Sequence, residues 1–140
     1  MNLRNHASRG QLIMYTFGQD ALAANQTDVQ LPRTIGEASQ AVDSSVAPWY
    51  GDIVGIGWTL SAAGSAGAAT VGASVDGTEN ANSTLSLGTA TEGYVSIPRG
   101  KIPLVPGSNI GVELTTDGSW NGTSSDLVLD VYVLYRLDGI

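Results

Sequence analysis

The only imidazole in the chain is His6, in the stretch Met1-Asn2-Leu3-Arg4-Asn5-His6. A serine triad needs an imidazole to take the hydroxyl proton, and a lone histidine among Asn and Arg leaves neither a triad nor a two-histidine metal site. Cysteine is absent, which removes thiol nucleophiles, thiolate metal sites and disulfides. No glycine-rich loop ending in Gly-Lys-Ser/Thr is present to cradle phosphate: Gly51, Gly55 and Gly57 fall inside a strand pattern, and residues 62–69 contain no lysine. Carboxylates remain. Asp52, Glu79, Glu92, Glu113, Asp117 and Asp126 are candidates for the paired carboxyls of a glycosidase. Most of them, however, lie in turns or alternate with apolar residues, where solvated carboxylates belong. Asp76 and Glu79 are loop carboxylates that calcium can use, without the spaced Asp/Asn ladder of a calcium loop. The expectation is a protein with no catalytic residues, no metal and no cofactor.

Aromatic side chains offer binding rather than reaction. Trp49-Tyr50 follows Pro48 at a strand entrance, and Trp120 lies within a Gly/Ser/Thr loop. Exposed rings on loops stack on sugars or anchor protein interfaces, and the competing reading is that they cap the ends of a core. The sequons at Asn25, Asn82 and Asn121 are what chance supplies in so Asn- and Thr-rich a chain.

The elements that would position these residues are strands. From Ile53 onward apolar residues recur at every second position, and no long stretch keeps a 3.6-residue period. Val54, Ile56, Trp58 and Leu60 share one face of the first clear strand; Ile53, Gly55, Gly57 and Thr59 share the other, a glycine-bearing face that suits a close neighbour. A Gly/Ala/Ser loop over residues 62–67 leads to Ala69, Val71, Ala73 and Val75, a pairing that reads as a hairpin, and Asp76-Gly77 is a turn dipeptide. Shorter strands are expected at residues 85–87 and 94–97. Pro98, Pro103 and Pro106 then interrupt, so residues 101–104 form at best an edge strand. Ile110, Val112 and Leu114 resume the alternation. Leu127, Leu129, Val131, Val133 and Tyr135 form the inner face of the longest strand, residues 126–136. Its other face carries Val128, Tyr132 and Leu134, so it is either a central strand covered twice or it meets another subunit.

The first 47 residues read differently. Residues 29–35 make one more strand and residues 37–42 a short helix, while residues 1–28 read as an extended arm, with an ordinary first strand over residues 11–17 as the alternative. Counting from Val29, about eight strands with regular turn signals give a two-sheet sandwich, most naturally an eight-stranded jelly roll. The expected organisation is therefore an N-terminal arm over residues 1–28 and a sandwich domain over residues 29–140.

Composition agrees. A chain of 140 residues, 42% hydrophobic and 14% charged with 18 glycines, supports one core without staples. The net charge of −7, with Lys101 the only lysine, argues against a nucleic-acid partner. No apolar run reaches the roughly 18 residues of a membrane span, and residues 1–6 lack the apolar centre of a secretion signal, so synthesis in a cytoplasm is expected. Charge is uneven: Arg4, His6 and Arg9 precede the first acid, Asp20.

The stretch Val105-Pro106-Gly107-Ser108-Asn109-Ile110-Gly111-Val112-Glu113-Leu114, followed after a Gly/Ser/Thr loop by Asp126-Leu127-Val128-Leu129-Asp130-Val131-Tyr132-Val133, resembles the closing strands of small jelly rolls in tailed-bacteriophage structural proteins. Trp58-Thr59-Leu60 and the strand from Ala69 fit the same cadence. The resemblance is one of style over residues 50–136 and contains no diagnostic motif. It implies a head decoration (cement) protein: a homotrimer located on the capsid surface of the virion, bound to the major capsid protein. On that reading Arg4, Arg9, Leu12, Ile13, Tyr15 and Phe17 form the capsid-binding arm, and Val128, Tyr132 and Leu134 form the oligomer interface. The alternative is a receptor- or carbohydrate-binding module of a tail fibre, using Trp49, Tyr50 and Trp120.

Overall fold

A computed structural model describes residues 10–33 and 43–136. Eleven strands are formed among them: β1 (Gln11–Gln19), β2 (Gln26–Gln30), β3 (Ser45–Val46), β4 (Gly51–Leu60), β5 (Ala69–Val75), β6 (Thr78–Glu79), β7 (Leu85–Ser86), β8 (Glu92–Ser96), β9 (Pro103–Leu104), β10 (Asn109–Thr116) and β11 (Leu127–Tyr135). One short 3-10 helix, Ala81–Ser83, precedes β7. The expected helix over residues 37–42, with Thr34 and Ile35 of the strand expected there, lies outside the described residues.

The strands pair as nested antiparallel loops. β5 turns onto β6, β4 pairs with β8 around that hairpin, β2 pairs with β10 outside it, and β1 pairs with β11 outermost. Folding this ribbon over gives two sheets, β1-β11-β4-β8 (sheet A) and β2-β10-β5-β6 (sheet B), with β9 added to β4, β3 to β10 and β7 to β5. Eight strands wound in this order are an eight-stranded jelly roll, the expected fold class. The Asp76-Gly77 turn has φ of 52° and 80°, the two left-handed residues that a tight hairpin demands.

Three expectations are corrected. Residues 11–28 are not an arm: β1 pairs with β11 from Gln11↔Tyr135 to Gln19↔Leu127, and β2 pairs with β10, so the sandwich begins before Val29. β4 and β5 do not form a hairpin; the loop over residues 62–67 carries the chain from sheet A to sheet B. Val54 is not a core residue. Ile53 pairs with Val133 and Gly55 with Tyr132, which leaves Val54 as the extra residue of a bulge. The bulge changes the phase of the strand, so Ile53 is fully buried in place of Val54, and Ile56, Trp58 and Leu60 follow on the inner face.

Between the sheets lie Phe17, Ile53, Ile56, Val112, Leu114, Leu129, Val131 and Val133, all fully buried. Pro103 sits in a two-residue strand at the edge of sheet A, where its missing N–H costs no ladder bond. Among the described residues no helix is long and apolar enough to cross a membrane.

Candidate interaction surface

Alternation along β1 and β11 decides which side chains leave the core. Ile13, Tyr15 and Phe17 point inward: Phe17 is fully buried, Ile13 and Tyr15 pack against the core, and the Tyr15 hydroxyl lies 2.7 Å from that of Tyr135. These three are therefore interior residues of the domain and not anchors for a capsid, which corrects the arm assignment. Leu12, of the same predicted set, faces solvent at 59% exposure. Arg4 and Arg9 lie outside the described residues.

The outward positions of sheet A form a continuous surface. Leu12 stands opposite Leu134, Met14 opposite Tyr132, Thr16 opposite Asp130 and Gly18 opposite Val128. The three interface residues expected from sequence, Val128, Tyr132 and Leu134, are thus brought together on one face. Met14 (54% exposed) and Tyr94 of β8 (59% exposed) join them. Neither was singled out from the sequence. The two-residue alternation of residues 94–97 placed Tyr94 opposite in phase to Val95 and Ile97, which was the available signal.

Tyr94 and Tyr132 meet edge to face, 6.1 Å between ring centroids and 71° between planes. They reach each other across β4 because β4 presents glycine there. A Cβ at Gly55 would collide with the Tyr94 hydroxyl, and one at Gly57 would stand 3.4 Å from the Tyr94 ring and 3.8 Å from that of Tyr132. The close neighbour expected on the glycine-bearing face is therefore this tyrosine pair. Asp130 lies beside Gly57, with its carboxylate accepting a 2.7 Å hydrogen bond from Thr16 Oγ1. Gly57, Tyr94, Asp130 and Tyr132 border a groove of about 370 Å³ with Trp58, Thr59, Glu92 and Gly93.

Sheet B has the opposite character. Its outer face carries Gln30, Gly72, Ser74, Glu79 and Glu113; Gln30 Nε2 donates to Glu113 (3.0 Å), and Ser74 Oγ donates to Gln30 Oε1 (2.8 Å). Burial, then the nearby carboxylates of Asp28 and Glu79, push the Glu113 carboxyl above its usual range.

The predicted aromatic loops separate to opposite ends of the sandwich. Trp120 is only 3% exposed and donates from Nε1 to the Leu22 carbonyl (3.1 Å), closing the core where β1 and β4 end. It is a cap and not an exposed ring. Trp49 and Tyr50 precede β4 at the other end and pack edge to face at 5.9 Å; Trp49 is half-buried against the core and Tyr50 exposed. Ten residues of β4 stand between the two groups, about 30 Å of strand, so they form no single sugar-stacking platform.

The candidate carboxylates are mostly engaged in local structure. Asp52 is buried and accepts from the Gly100 N–H (3.0 Å) with Arg99 3.9 Å away. Asp126 accepts from the Ala21 N–H, Asp117 from the Ser119 N–H and Asp76 from the Asn109 N–H. Among the described residues no three acidic or histidine side chains converge as metal ligands.

No protein-family model matches the chain, and no curated protein matches it. Solved structures similar to it include the empty capsid of Triatoma virus (10% identity, TM-score 0.40, covering 97% of this chain and 92% of that one). Turnip yellow mosaic virus (9%, 0.34, 91% and 93%) and sacbrood virus of honeybee (10%, 0.35, 93% and 73%) are also similar. The nested strand order, and not this likeness, carries the reading of the fold.

Proposed function

We propose that this chain is a structural subunit of a virus particle that works by protein contact: it seats on the outer surface of a tailed-phage head, as a homotrimer, and stabilises the shell. The observation that carries the reading is the outer face of sheet A, where Leu12, Met14, Tyr94, Tyr132 and Leu134 form an apolar surface on an otherwise acidic protein. Such a surface is costly to leave in water and marks a contact face. The cadence of residues 50–136 supports the phage assignment by resemblance. In this reading the chain carries out no reaction and needs no cofactor. A subunit that binds only the assembled shell stabilises that shell by linkage, and several weak contacts made at once raise the effective concentration at each.

The test is co-sedimentation of the purified protein with phage head shells that lack it. Saturable binding that raises the shell's disruption temperature is expected, and it should be lost in Met14→Gln/Leu134→Thr, which breaks the self-contact on the β1–β11 side of the face and with it the multivalent grip on the shell. Failure to bind shells, with recovery of the protein from purified tails instead, overturns the assignment.

A further inference from the structure

The groove on the outer face of sheet A has a chemical character of its own. Its floor is Gly57, beside Asp130 of β11 on one side and Tyr94 of β8 on the other. Tyr132 and Glu92 stand two residues further along those same strands, in opposite directions. The lining thus holds two tyrosine rings and two carboxylates, with Trp58 beneath, and no lysine or arginine. Thr16 Oγ1 holds the Asp130 carboxylate from the β1 side.

We propose that this groove is a binding site for an arginine side chain presented by a basic segment of a partner protein. The proposal rests on the reading that the outer face of sheet A is a docking face, and it adds the chemistry of what docks. Charge complementarity selects a cation, because both ionic groups of the lining are acidic. Planarity selects arginine over lysine. A guanidinium is flat, is more weakly hydrated than an ammonium, stacks on a phenol face and presents a fork of N–H donors to a carboxylate in the same plane. Glycine at position 57 is what leaves the room: its absent side chain is the floor on which the group would lie.

The probe is N-acetyl-arginine methylamide, titrated into the full chain and followed by the amide NMR signals of Gly57, Gly93 and Tyr94. Saturable shifts of these signals are expected, and the citrulline analogue, which keeps the shape and loses the charge, should leave them unmoved. Asp130→Asn should weaken binding about tenfold, the usual scale for a hydrogen bond to a charged group. Gly57→Val should abolish binding by filling the floor. Tyr94→Ala, a change at an exposed ring, keeps the test alive if the Gly57 variant fails to fold. Equal shifts with arginine and citrulline, shifts confined to other signals, or movement of the same signals by a methyl hexoside but not by arginine, would each overturn the proposal. Shell binding is a separate readout, so arginine binding without shell binding defeats the proposed function alone, and the converse defeats only the groove.

Discussion

At the level of single residues, Trp120 caps one end of the core and Glu113 holds a buried carboxyl on sheet B. A tryptophan in a Gly/Ser/Thr loop reads as exposed, because nothing adjacent in sequence covers it. Its cover comes from Leu22 and Gly64, which two other loops bring to the same end of the sandwich. Trp120→Ala should therefore cost about 3–5 kcal/mol, the range for emptying a large aromatic site, read as a lower urea midpoint. Glu113 was legible as a position that alternates with Val112 and Leu114, but its burial was not, since Gln30 and Glu79 arrive from other strands. Its carboxyl is raised in the folded state, so the folded state holds its proton more tightly than the unfolded chain does. That contribution is complete below the ordinary carboxylate value of 4.5 and is lost as pH rises through the higher folded value. Glu113→Gln should accordingly stabilise the protein at pH 7 and make little difference at pH 3.5. Urea unfolding of both proteins at the two pH values checks the sign, and a destabilised variant at pH 7 would refute it.

At the scale of the element, β11 was fully legible and β1 was not. β11 alternates without interruption, and all five inner residues expected from the sequence are buried. β1 reads Leu-Ile-Met-Tyr-Thr-Phe, apolar on both faces, so period-two reasoning finds no inner side. Its partner lies more than a hundred residues away in sequence, and no local turn announces the pairing. The bulge at Val54 escaped for a similar reason: one inserted residue is invisible until the facing strand fixes the register. The strand assignment makes a prediction opposite to that of an arm. Phe17→Ala should cost about 3–5 kcal/mol, while Leu12→Ser, five residues away on the outer face, should stay within about 0.5 kcal/mol. Deleting residues 1–19 should unfold the domain, because it strips the outer neighbour of β11 and a fully buried Phe. Circular dichroism melts of the three variants decide this, and a deletion variant that melts like the intact chain would restore the arm.

At the scale of the molecule, the nested order of strands makes every pairing except the innermost a long-range one, and the two faces it creates differ in kind. The outer face of sheet B is hydrogen-bonded and acidic, suited to water. The outer face of sheet A is mostly apolar, with its carboxylates Asp130 and Glu92 gathered at the groove. Three strands about 30 Å long and the shorter β8 of about 17 Å, about 4.8 Å apart, give it roughly 500 Å², less than the roughly 800 Å² per partner of a standard stable interface. One such contact should therefore be weak by itself and gain strength only when several act together. Self-association in solution is expected to depend on concentration, dissociating between about 1 and 100 µM. Replacing the apolar outward residues in one variant, Leu12→Ser/Met14→Gln/Leu134→Thr, should yield a monomer throughout that range, because each change removes contact area without touching the inner face. The melting temperature of the monomer should stay close to that of the parent, since exposed positions contribute little to the core. Sedimentation velocity across the concentration series gives the outcome directly. If the triple variant associates as the parent does, the contact is made elsewhere, and the strands that end the sheets among the described residues, β1, β2 and β8, become the surfaces to alter next.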